Sequence, residues 1–134
     1  MKKYLILFCV LTIIAGCKGK DEGKKDRLYL KEIPANGKTI EWFYFSLIGN
    51  TTADYVLLYD PVKDKADTLV NSTNLKDVNL SDNEITLLFY GKPRIYENSI
   101  KIKPNIGGFN IKVDTTAIFT GFKPRDSYLK KITE

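Results

Sequence analysis

From residue 28 onward, apolar side chains come in short runs that alternate or are continuous, broken by turn residues roughly every 8 to 15 positions. Strands repeat every two residues and helices every 3.6, so this pattern predicts an antiparallel β domain and leaves no helix-length amphipathic stretch. The first expected strand is 28–33, followed by Pro34-Ala35-Asn36-Gly37, where Gly37 tolerates the positive φ of a tight hairpin. The second is 39–48. There Ile40, Trp42 and Tyr44 face one way and Phe43, Phe45 and Leu47 the other, which marks a central strand covered on both sides.

Residues 55–59 form a third strand, stopped by Asp60-Pro61 because proline cannot donate to a ladder. Residues 66–70 suit a short edge strand. The segment 71–83 is polar with isolated Leu75, Val78 and Leu80, and reads as a long connection that tucks three side chains beneath it. Strands are then expected at 85–90 and 95–102, the latter with Ile100 and Ile102 inward. Gly107-Gly108 turns the chain into 109–113, and 117–122 completes the sheet. Seven or eight short strands without crossover helices imply an all-β fold, an antiparallel β-sandwich or small barrel, with the sandwich favoured by the two runs that are apolar on both faces.

The N-terminal segment has a different purpose. Met1-Lys2-Lys3 is a positive start, residues 5–14 are apolar, and Ala15-Gly16-Cys17 ends the run just before Lys18-Gly19-Lys20-Asp21-Glu22. The apolar stretch is about half the roughly 20 residues that a spanning helix needs. Ile14-Ala15-Gly16-Cys17 resembles the lipobox of bacterial lipoproteins, in which the cysteine is lipidated, becomes the first mature residue and is N-acylated. The resemblance implies a signal peptide at 1–16 and a lipid anchor on Cys17. Residues 18–27 carry no apolar side chain and read as a flexible tether, giving 17–27 as lipidated cysteine plus tether and 28–134 as the β domain. Lys20, Asp21 and Glu22 also resemble the export signal of surface lipoproteins in Bacteroidota. An outer-membrane location is expected, on the cell surface or the periplasmic face.

Composition bounds the chemistry. The 134-residue chain contains no histidine, and of its two cysteines Cys9 leaves with the signal peptide and Cys17 carries lipid. No internal disulfide can form, and a Ser-His-Asp triad, a cysteine nucleophile and the commonest zinc ligand are all excluded. Two of the five net positive charges leave with Lys2 and Lys3. That small charge, together with export, argues against a nucleic-acid partner. Asp60, Asp64 and Asp67 lie close in sequence, but the calcium-loop spacing is absent and lysines interleave with them, so a solvated turn is the reading. Thr73-Asn74-Leu75-Lys76 resembles a Ser-Lys catalytic spacing but carries threonine in the serine position and lies in a polar segment. Asn50-Thr51-Thr52 and Asn71-Ser72-Thr73 match glycosylation acceptors and read as turns.

What remains is aromatic. Trp42, Tyr90 and Tyr96, with Arg94 in the turn between the tyrosines, are the candidate binding residues, since exposed rings stack on sugars or on a partner protein. The sequence therefore predicts a lipid-anchored envelope module that binds an envelope protein or glycan, needs no cofactor or metal and performs no catalysis. Two alternatives stand beside it: an inhibitor or immunity protein that plugs a lysozyme-like or toxin enzyme with the 71–83 connection, and a small hydrolase using carboxylates.

Overall fold

A computed structural model of the chain describes residues 26–45 and 53–121. Among these the fold is all-β, with eight strands and no helix. The first four, β1 (Arg27–Ala35), β2 (Lys38–Phe45), β3 (Asp54–Asp60) and β4 (Lys65–Ser72), form an antiparallel sheet in chain order. The other four, β5 (Leu75–Ser81), β6 (Glu84–Phe89), β7 (Asn105–Ile106) and β8 (Phe109–Asp114), form a second sheet ordered β5-β6-β8-β7. One apolar core lies between them. Ile40, Trp42, Val56, Leu58, Leu69 and Val70 from the first sheet pack with Val78, Ile85, Leu87, Phe89 and Phe109 from the second.

The hairpin turns fall where the local chemistry dictates. Asn36 and Gly37 both take positive φ, 50° and 78°, as a two-residue turn between twisted strands requires. Gly107 is needed for a further reason. A Cβ there would lie 2.6 Å from Leu58 Cδ2, so any other residue at the β7–β8 hairpin would force the buried Leu58 side chain to shift, besides being strained at φ 60°.

Four expectations are corrected. The 71–83 segment is not a connection: it is the end of β4, the turn Thr73-Asn74, strand β5 and the start of the next hairpin. A bulge between Leu75 and Asp77 breaks the two-residue period, so Leu75 and Val78 both reach the core three positions apart. Residues 95–102 are irregular, with only Ile95 bridging to Ser72, and Ile102 covers the core edge without belonging to a strand. Of the expected strand at 117–122, residues 117–121 form none, a single bridge pairs Thr116 just before them with Tyr90, and Phe122 lies outside the described residues. Finally, β6 and β8 pair in parallel, because the chain between them crosses to the β4 edge and returns through β7. Strand β1 starts at Arg27, one residue inside the expected tether, and β2 is described to Phe45, with 46–48 outside the described residues.

Both sheets share the same two ends. The turns Asn36-Gly37, 61–64, Asp82-Asn83 and Gly107-Gly108 lie together, as shown by Asn36 Nδ2 donating to Asn83 Oδ1 at 3.1 Å and Lys38 Nζ to the Gly107 carbonyl at 2.8 Å. At the opposite end β1 begins, β4 passes into β5, and the segments 90–97 and 114–121 leave β6 and β8.

Candidate functional site

Asn74, in the two-residue turn between β4 and β5, organises this second end. Its Nδ2 donates to the carbonyls of Tyr90 at 2.9 Å and Lys92 at 2.8 Å. Its Oδ1 accepts from the Arg94 amide at 2.8 Å and lies 2.9 Å from Ser72 Oγ. A side-chain amide has two donor hydrogens and two acceptor lone pairs; here both donors and one lone pair are engaged, and the second lone pair shares the single Ser72 hydroxyl proton with the Arg94 carbonyl, which lies 2.8 Å from Ser72 Oγ. Backbone bonds complete the latch: Thr73 N to Arg94 O at 3.1 Å, Tyr90 N to Asn74 O at 3.1 Å and Tyr96 N to Asn71 O at 3.0 Å. The 90–96 loop is thereby held along the β4 edge, which it also covers.

This loop carries three of the four expected binding residues. Tyr96 is 64% exposed and Arg94 is exposed, while Tyr90 is half-buried. Trp42 is not with them. It is 3% exposed, on the core face of β2, with its indole N–H donating to Asp54 Oδ2 at 3.2 Å. The two tyrosines have different neighbours. Tyr90 meets Phe119 edge-on with ring centroids 5.4 Å apart, and Lys76 Nζ lies 5.9 Å from its ring centre, so the Thr73-Asn74-Leu75-Lys76 run serves packing and the latch. Tyr96 runs along β4, its amide donating to the Asn71 carbonyl, and Asn71 pairs in turn with Tyr55, whose hydroxyl donates to Glu97 Oε1 at 3.3 Å.

Tyr55 belongs to an aromatic row on the outer face of the first sheet. Tyr29, Phe43, Tyr55 and Asn71 are directly paired across β1, β2, β3 and β4. Phe43 and Tyr55 are stacked at 5.7 Å, and the Arg27 guanidinium, bridged to Glu41 at 3.1 Å, lies 4.3 Å from the Phe43 ring centre. Burial raises the Tyr55 pKa first, and the negative charge and hydrogen bond of Glu97 raise it further. The Asn71 amide lies against the same phenol and pulls the other way, yet neither its Nδ2 nor its Oδ1 completes a well-formed hydrogen bond. Asn71 is fully buried in β4, so its acceptor-like motif is strand, not turn.

The niche around the fully buried Asn71 brings together the ring of Tyr96, the hydroxyl of Tyr55 and the carboxylate of Glu97. Asn74, Asn71 and Glu97 were not singled out from sequence. Apart from Ser72 beside Asn74, their partners lie 16 to 42 positions away, which no local pattern signals.

The aspartates behave as turn residues. Asp60 Oδ1 accepts from the amides of Val62 at 3.0 Å and Lys63 at 3.2 Å, Asp64 accepts from the Tyr59 hydroxyl at 3.1 Å, and Asp67 pairs with Lys65 at 2.9 Å. Among the described residues no group of three potential metal ligands occurs. Cys17, Lys20, Asp21 and Glu22 lie outside the described residues. A scan against protein-family models, a search of curated proteins and a search of solved structures each return no match for this chain.

Proposed function

We propose that this chain is a lipid-anchored envelope module that binds a glycan or an envelope protein through the Tyr96 loop without turning it over. The observation that carries the reading is the rigid presentation of Tyr96: a ring 64% exposed on a loop tied to β4 by Asn74 and by backbone pairing. An aromatic side chain on an ordered backbone has only two torsions to fix on binding, and tyrosine combines an apolar face with a polar tip. Tyr55 and Glu97 beside it supply hydroxyl and carboxylate partners for a polar ligand. The chain has no histidine and, once Cys17 is acylated, no thiol, which agrees with binding rather than catalysis. The lipobox-like Ile14-Ala15-Gly16-Cys17 supports a membrane anchor, and Lys20-Asp21-Glu22, which resembles a surface-export signal, favours the cell surface over the periplasmic face.

The inhibitor alternative loses the loop on which it rested, since 71–83 is mostly strand. The test is retention of the native protein on peptidoglycan sacculi and on outer-membrane fractions. Tyr96→Ala should weaken retention about tenfold to thirtyfold, the range of a central aromatic contact, and Val62→Ala should not. Hydrolysis of glycoside or ester substrates by the purified protein would contradict the proposal, as would retention indifferent to Tyr96.

A further inference from the structure

The two ends of the sandwich differ sharply in chemistry. The turn end carries Lys38, Asp60, Lys63, Lys65 and Asp67 and has one exposed large apolar side chain, Val62. The other exposed large hydrophobics among the described residues are Tyr96, Val113, Ile118 at 77% and Phe119 at 52%, and all lie at the end where β1 begins. Beside them the same end exposes Lys92 and Arg94.

The length of the chain ahead of β1 decides what covers that end. Cys17 and Arg27 are ten positions apart, a reach of at most about 35 Å. Strand β1, nine residues long, spans about 30 Å from one end of the sandwich to the other. With its first residue held at a bilayer, the domain could bring its turn end to the lipid only by running nearly the whole tether back along its own side. The end where β1 begins reaches the surface with slack.

We propose that the domain rests on the bilayer by this end, with Ile118 and Phe119 entering the boundary between headgroups and acyl chains and Lys92 and Arg94 lying at the phosphates. The proposal depends on the lipid anchor of the functional reading above. Tethering makes the contact intramolecular, so two apolar side chains and two cations suffice where they would not hold a free protein. Ile118 and Phe119 lie on the second sheet's side, beside Tyr90, whereas Tyr96 lies at the β4 edge of the first. A domain leaning on the former keeps the Tyr96 niche open at headgroup height, within reach of a headgroup glycan or the rim of an integral protein.

The acylated chain has no thiol, so a cysteine introduced by Ile118→Cys or Val62→Cys is a unique labelling site in the full-length protein purified from membranes. Each variant, carrying an environment-sensitive fluorophore, is bound to phosphatidylethanolamine–phosphatidylglycerol vesicles containing spin-labelled lipid. The fluorophore at position 118 should shift to the blue and be quenched severalfold more than the one at position 62. Equal quenching on vesicles that float with the protein, or stronger quenching at 62, overturns the docking and leaves the anchor standing. Labelling of the wild-type protein, or failure of the protein to float with vesicles, removes the anchor and the docking with it.

Discussion

Replacing Asn74 with alanine should unlatch the 90–96 loop. The side chain makes four hydrogen bonds between 2.8 and 2.9 Å, to Tyr90, Lys92, Arg94 and Ser72. At about 1 kcal/mol net for each, the ceiling is about 4 kcal/mol, but water can replace the partner at the exposed Lys92 and Arg94, so the expected loss is about 2 to 3 kcal/mol. Asn74→Asp separates the contributions. It keeps both acceptances, removes both donations and sets a negative charge against the Tyr90 and Lys92 carbonyls, and it should be at least as damaging as alanine. Urea unfolding at unchanged m-value gives the global effect. Trypsin cleavage after Arg94 under native conditions gives the local one, and a loop opened by about 2 kcal/mol should be cut about thirtyfold faster. A loss below about 0.5 kcal/mol with unchanged cleavage, or an Asn74→Asp variant as stable as wild type, would refute the latch.

Trp42→Ala should cost about 3 to 5 kcal/mol in the same unfolding assay, and Trp42→Phe less, about 2 to 3, because a smaller ring still fills most of the site while part of the indole volume and the hydrogen bond to Asp54 are lost. Asn71→Leu should be neutral or stabilising, since the amide it replaces is fully buried and completes no hydrogen bond. Tyr55, its pKa raised by burial and by Glu97, favours the neutral phenol in the folded state; this contribution is intact below the ordinary tyrosine pKa near 10 and is lost as pH rises through the higher folded value. The phenolate absorbance difference between wild type and Tyr55→Phe should report that late titration, and Glu97→Gln should move it towards the ordinary value.

Where a turn or a strand is specified by adjacent residues, the sequence was sufficient. Asn36-Gly37, Asp60-Pro61 and Gly107-Gly108 each bend the chain where their backbone preferences require, and the alternation of β2 put Ile40 and Trp42 in the core. Bulges were the main obstacle. An extra residue at Leu69 lets it and Val70 both point inward, and the bulge after Leu75 disguised β5 as a polar connection. The reverse error arose at 95–102, because an irregular segment lying along a core edge buries alternate isoleucines as a strand does. The parallel pairing of β6 and β8 depends on where the connection through 90–108 crosses, which follows from the whole sheet and from no local run. The proposed binding surface was legible only in part. Tyr96 and Arg94 were found as exposed residue types near a turn, but what makes them a surface is Asn74, and an asparagine that latches a distant loop looks in sequence like any turn residue.

The central claim is that a partner meets the Tyr96 loop of the anchored domain, and photo-crosslinking in intact cells tests it most directly. A photoreactive residue at position 96 should give discrete adducts with an envelope component that disappear when Asn74 is also replaced by alanine, while the same residue at position 62 gives none. Adducts formed at 62 and not at 96 would contradict the account.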